Sequence, residues 1–238
     1  MPGSLQRLRF HTSGRRVPTV QPLRIRFEKR GRARFISHLD MIRCMSRALR
    51  RAGIPVWYTQ GFNPHPYITF ALPLSLFYES DCEVMDMRLD GEMPFDEVRA
   101  RMDAEMPEGI RITGAAPPQM KTTEIEQASY TMQLEYPGRT AGQLEKKWQD
   151  LLALPTVPVE KKSKRGLHEI NMRPYLAQAE ITAQDGMLSI RSLLPAGQQE
   201  TINPGCIAAA LVRHTGLEPY LDHICRTGIF DAQMRSFH

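Results

Sequence analysis

The alternation of Leu23, Ile25 and Phe27 predicts a strand with one buried side. A polar turn around Gly31 follows over residues 29–32, and 34–36 reads as returning extended chain. Ser37, with Asp40 three positions on, marks the start of a helix. Leu39, Ile42, Met45 and Leu49, with Met41, Ala48 and Ala52, supply its apolar side, and Gly53 and Pro55 stop it. Residues 67–74 and 82–89 read as strands, Pro94 opens a helix running to 106, and 110–116 is a closing strand. Strand, helix, strand, strand, helix, strand over 22–116 is the split βαβ order of a ferredoxin-like unit. Pro117 and Pro118 begin a linker over 117–123. In 124–238 the order recurs: a strand over 128–136, a helix over 140–154 burying Leu144, Trp148, Leu151 and Leu152, strands within 157–194, a helix from Asn203, and a strand within 220–230. The expected fold class is α+β, two tandem ferredoxin-like (split βαβ) domains with mostly antiparallel sheets and helices on one face. Residues 1–21 have no sustained periodicity and are expected to be a flexible basic arm.

Composition narrows the class. The chain has 238 residues, 42% hydrophobic and 24% charged, enough apolar material for a core without a disulfide or metal staple. No apolar run approaches the roughly 18 residues of a membrane span, and no export signal opens the chain, so a cytoplasmic protein with no membrane contact is expected. Cys44, Cys82, Cys206 and Cys225 then read as free thiols, spaced too far apart for an iron–sulfur motif. Cys206, His214, His223 and Cys225 match no usual zinc spacing, so no metal is expected.

Charge distribution points to a partner class. Residues 1–51 hold thirteen Arg and one Lys against Glu28 and Asp40, a local charge of +12 that leaves −7 for the rest. Arginine forks suit phosphate and stack on bases, so nucleic acid is the leading partner. Arg34, Arg43, Arg47, Arg50 and Arg51 are candidate phosphate contacts on or beside the first helix. Lys161, Lys162, Lys164 and Arg165, with Arg173, form a second basic site in a predicted hairpin. Between Gln60 and Pro66 two prolines stiffen a loop, and Tyr58, Gln60, Phe62, Asn63, His65 and Tyr67, with Trp57, are candidates to stack and read an unpaired base. His38 at the helix start and His65 are the candidates for acid–base chemistry. Eleven acidic residues over 78–108 are expected to face away from phosphate. No nucleotide-phosphate loop motif is present.

Several segments carry a resemblance: residues 34–40 (Arg-Phe-Ile-Ser-His-Leu-Asp), 47–53, 60–66 (Gln-Gly-Phe-Asn-Pro-His-Pro), 70–74, and later 159–164 with 173–175. Together they resemble the radical-SAM-linked family, a bacterial domain of unknown function whose members are fused to, or encoded beside, radical S-adenosylmethionine proteins of a cobalamin-binding type. The resemblance implies a radical SAM partner that would hold S-adenosylmethionine, an iron–sulfur cluster and cobalamin, with no cofactor in this chain. It supplies no catalytic residue. The expected function is an RNA-binding accessory or substrate-presenting subunit for such an enzyme acting on tRNA or rRNA. Two rivals stand beside it: a metal-independent RNA endonuclease using His38 or His65, since tandem ferredoxin-like folds also resemble CRISPR repeat-processing endonucleases, and a protein adaptor that docks through the acidic segment without RNA.

Overall fold

The computed structural model describes residues 20–163 and 166–238. The expected arm therefore lies, up to residue 19, outside the described residues, as do Lys164 and Arg165. The fold is α+β, with five α-helices among the described residues and a mixed, mostly antiparallel sheet.

In the first half, β1 (Val20–Lys29), α1 (His38–Arg51), β2 (Ile68–Phe70), β3 (Glu79–Asp90), α2 (Phe95–Asp103) and β4 (Ile110–Ala116) follow in order. β1 pairs antiparallel with both β3 and β4, and β2 pairs antiparallel with the far edge of β3. Leu23, Ile25 and Phe27 of β1 lie across from Met87, Met85 and Glu83 of β3. One face of these strands thus buries an apolar layer with Met41, Met45 and Leu49 of α1 and Val98 and Met102 of α2. The second half contains β5 (Gln127–Glu135), α3 (Ala141–Ala153), β6 (Pro158–Ser163), β7 (Gly166–Asn171), α4 (Arg173–Ala177), β8 (Glu180–Gln184), β9 (Met187–Pro195), α5 (Gly205–Thr215) and β10 (Leu221–Phe230). Its strands run β10-β5-β9-β8, all antiparallel, over a core that includes Trp148, Leu151, Ile207 and Leu211. The hairpin β6-β7 forms its own two-stranded sheet.

The two halves share one sheet. Cys225 and Arg226 of β10 pair in parallel with Glu79 and Ser80 of β3, on the edge that β2 uses further along, giving the order β4-β1-β3-β10-β5-β9-β8. A buried ion pair sits at this seam: Arg226 donates to Glu83 at 3.1 Å and to the carbonyls of Leu72 and Pro73 at 2.7 and 3.3 Å. Burial works against the Arg226 charge, and Glu83, Tyr130 and Cys82 together more than offset it.

Two local expectations are corrected. Residues 34–36 do not return as a strand; residues Gly31–Phe35 form a 3₁₀ turn that buries Ala33. Five residues fit either period, and the turn packs on Gly109: the Arg30 N–H donates to the Gly109 carbonyl at 2.7 Å, and an added Cβ on that glycine would stand 2.3 Å from the Arg30 carbonyl. Leu39 is 64% exposed and is not part of the apolar side of α1. Two overlapping apolar series run through this helix, and the sheet takes Met41, Met45, Ala48 and Leu49.

Candidate nucleic-acid interface

α1 is fixed at its start by Ser37, whose Oγ accepts from the Asp40 N–H at 3.2 Å. With Met41, Met45, Ala48 and Leu49 buried, Leu39, Arg43, Arg47 and Arg50 occupy about 80° of arc on the outward side and span about 16 Å of axis. In the turn that leads into α1 stands an exposed aromatic ring, Phe35, with Phe77 against it. Phe35 and Phe77 meet edge to face at 5.9 Å, are 57% and 58% exposed, and are tied together by the Phe77 N–H donating to the Arg34 carbonyl at 2.9 Å. The Arg34 guanidinium lies 5.0 Å from the Phe35 ring centre. Phe77 takes φ 72°, a left-handed conformation that is unfavourable for a bulky side chain.

The cations of this surface are not equally available. Arg43 pairs with Asp40 at 2.8 Å, and Arg51 pairs with Glu105 at 2.6 Å and donates to its carbonyl at 2.7 Å. Hydrogen bonds from Ser37 and then Arg43 hold the Asp40 carboxyl below its usual range. Among the described residues the side chains of Arg32, Arg47 and Arg50 have no such partner. Both ion pairs are exposed and contribute little net free energy, so an incoming phosphate can displace them. Between α1 and the loop after α2 lies an open groove of about 520 Å³, lined by Arg43, Cys44, Arg47 and Arg51 on one side and Glu105, Met106 and Pro107 on the other. Burial pushes the Cys44 thiol up, against the nearby Arg51 and Arg47, so it is not an activated nucleophile.

The proline-stiffened loop stands elsewhere. The chain follows the edge of β3 through Val56, leaves it, and returns through Ile68; the excursion is closed by Thr59 N–H to His65 O at 2.9 Å and Tyr67 N–H to Trp57 O at 3.0 Å. Trp57 and Tyr67 meet edge to face at 5.7 Å, and Arg88 lies over both rings. Arg88 alternates with Met87 and Leu89, which face the helices, so this stack is on the opposite face of the sheet from α1. The aromatic stack at the foot of the loop and the outward arginines of α1 therefore belong to different sides of the sheet.

Of the second basic site, the described residues show only a part. Lys161 donates to the Thr201 carbonyl, Lys162 pairs through its backbone with Leu167, and Arg173 begins α4. His38 stacks edge-on against Phe70 at 5.2 Å and lines a narrow cleft with Lys29 and Glu83 whose interior, about 10 Å³, has room for a single water. Burial lowers the Lys29 ammonium, which donates to the Ile36 carbonyl at 3.0 Å. His65 turns its Nδ1 to the Asn63 carbonyl at 3.0 Å and to Thr59 Oγ1 at 3.1 Å, and among the described residues it forms no ion pair. The acidic segment does not turn away from the basic one. Because β3 pairs with β1 and α2 leads back beside α1, Asp86 takes Arg24, Asp81 takes Arg30 and Glu105 takes Arg51. Arg32, Phe35, Phe77 and Arg88 escaped sequence reasoning. For Phe77 a signal existed: it is a large apolar residue that no predicted element claims.

The profile of a family described as "Uncharacterized protein conserved in bacteria (DUF2344)" matches residues 22–204, so the chain belongs to that family. No curated protein matches the chain.

Proposed function

We propose that this member of a bacterial family is a non-catalytic RNA-binding accessory that presents tRNA or rRNA to a partner radical S-adenosylmethionine enzyme. The observation that carries the reading is that the exposed Phe35–Phe77 pair is set in the turn leading directly into α1, the helix whose outward side carries Arg43, Arg47 and Arg50. Single-stranded nucleic acid needs a track of cations for phosphates and exposed rings for bases, and this segment of chain supplies both. Two phenyl rings left more than half in water, one of them on a strained backbone, are better accounted for by a ligand than by packing. Each half is read as a ferredoxin-like unit, since both run strand-helix-strand-strand-helix-strand with the fourth, first, third and second strands side by side once the β6-β7-α4 insertion is set aside. In this reading S-adenosylmethionine, the iron–sulfur cluster and cobalamin belong to the partner.

The test is anisotropy of a labelled single-stranded RNA titrated with the full chain at several salt concentrations. If Arg32, Arg34, Arg43, Arg47 and Arg50 each meet one phosphate, log K falls with log salt at a slope of about −3.5, and Arg47→Ala with Arg50→Ala reduces that slope by about 1.4. Phe77→Ala weakens binding with little change in slope. Binding flat in salt sinks the RNA reading in favour of the adaptor. Cleavage in chelator that disappears in His38→Ala replaces it with the endonuclease.

A further inference from the structure

The excursion over residues 57–67 contains four aromatic residues and two prolines but no Lys, Arg, Asp or Glu. We infer that this excursion is a protein-docking knob, with Phe62 as the anchor that fills an uncharged apolar pocket on the partner enzyme. The inference rests on the reading that a partner protein exists and assigns it a surface distinct from the one proposed for RNA.

Three observations carry it. Phe62 stands fully exposed at the tip, next to Gly61 at φ 138°, and touches nothing that would explain a phenyl ring there. The loop beneath it is already ordered. Besides the two backbone bonds that close it, the His65 N–H donates to Thr59 Oγ1 at 3.2 Å, and Pro64 and Pro66 fix the turn. An anchor held on such a loop binds without the entropy cost of ordering it, and a single exposed aromatic on a rigid support has the character of an interface hot spot. The third observation is charge. A loop without a cation cannot neutralise phosphate, and the guanidinium at its foot, Arg88, is 4.4 Å from the Tyr67 ring centre and 5.5 Å from that of Trp57. The rim around Phe62 is polar and neutral: Gln60, Asn63 and His65 are all exposed. His65 Nδ1 lies 3.0 Å from the Asn63 carbonyl and 3.1 Å from Thr59 Oγ1, which ties the ring to the loop. Rigid aromatics among adaptable amides are the composition of protein-binding loops.

The experiment mixes the purified full chain with a purified radical S-adenosylmethionine protein of the cobalamin-binding type from the same bacterium and measures association by calorimetry, with light scattering on each component alone. The expected result is a complex whose affinity changes little with salt and falls at least about tenfold in Phe62→Ala, while Phe62→Trp retains it and RNA binding and thermal midpoint stay as in the parent chain. A wild-type complex that Phe62→Ala leaves intact overturns the docking inference and spares the proposed function. Absence of any wild-type complex overturns the partner reading itself. Self-association that Phe62→Ala abolishes, or RNA affinity that falls with that substitution, assigns the loop to a second copy or to RNA and equally overturns the inference.

Discussion

Arg226 and Arg47 carry the same charge and have opposite meanings for the molecule. Arg226 is 2% exposed and holds the Glu83 carboxylate and two carbonyls of the 72–73 segment in place. Arg226→Met leaves Glu83 buried without its guanidinium and is expected to cost about 3–5 kcal/mol in urea unfolding, part of which Glu83→Gln restores in the double variant. Arg47→Ala is expected to stay within about 0.5 kcal/mol of the parent. Near-equality of the two single variants would show that the seam ion pair is not what joins β3 to β10. Phe77 separates binding from folding in a similar way. Its left-handed backbone costs about 1–2 kcal/mol, so Phe77→Gly should hold or raise the thermal midpoint while weakening RNA binding. A lowered midpoint would instead make Phe77 a packing residue.

Within α1 the local signals and the tertiary ones part company. Its start at Ser37 and its end before Gly53 are written in capping chemistry, which acts over three or four residues and was legible without coordinates. Which of two apolar series faces the sheet is decided by where β1 and β3 lie, and nothing in the helix itself records that. Met45→Ala is therefore expected to cost about 2–5 kcal/mol and Leu39→Ala less than about 0.5 kcal/mol, although both occupy the series predicted to be buried. Ser37→Ala is expected to cost about 1 kcal/mol through the lost cap. Denaturant midpoints of the three variants check the ranking, and a costly Leu39→Ala would mean that its exposed side chain has a neighbour. The same reasoning explains the candidate site. Arginine content was readable from composition, but the availability of each guanidinium depends on strand register: Asp86 lies directly across from Arg24 only because β1 and β3 pair as they do.

The order of the main elements was legible, the 3₁₀ turn before α1 and the short α4 excepted, whereas the joining of both halves into one sheet was not, because Cys225 and Glu79 are 146 residues apart and pair over only two positions. That short parallel contact is surrounded by groups which stay protonated as long as it stays dry. Burial pushes Cys82 and Cys225 up to about 12 from an ordinary 9.0, and both thiols lean on the Arg226 carbonyl at 3.8 and 3.6 Å. Tyr78, which donates to Asn203 at 2.6 Å across the halves, is raised by burial to about 12 from 10.0. Unfolded, these thiols and this phenol ionise between about pH 9 and 10, while the folded chain keeps its protons to about 12. The folded state thus binds more protons in that interval, and stability present below pH 9 is lost as pH rises toward 12. Lys29 opposes this: its lowered ammonium gives up a proton earlier in the folded chain, which adds stability between its own value and 10.5. One group set against three leaves a net loss. Urea midpoints measured under reducing conditions at about pH 7.5 and about pH 10 should fall, and should fall less when Cys82→Ala and Cys225→Ala are combined. A midpoint that holds or rises to pH 10 would mean that water already reaches the seam, and that the two halves are joined less tightly than their shared sheet suggests.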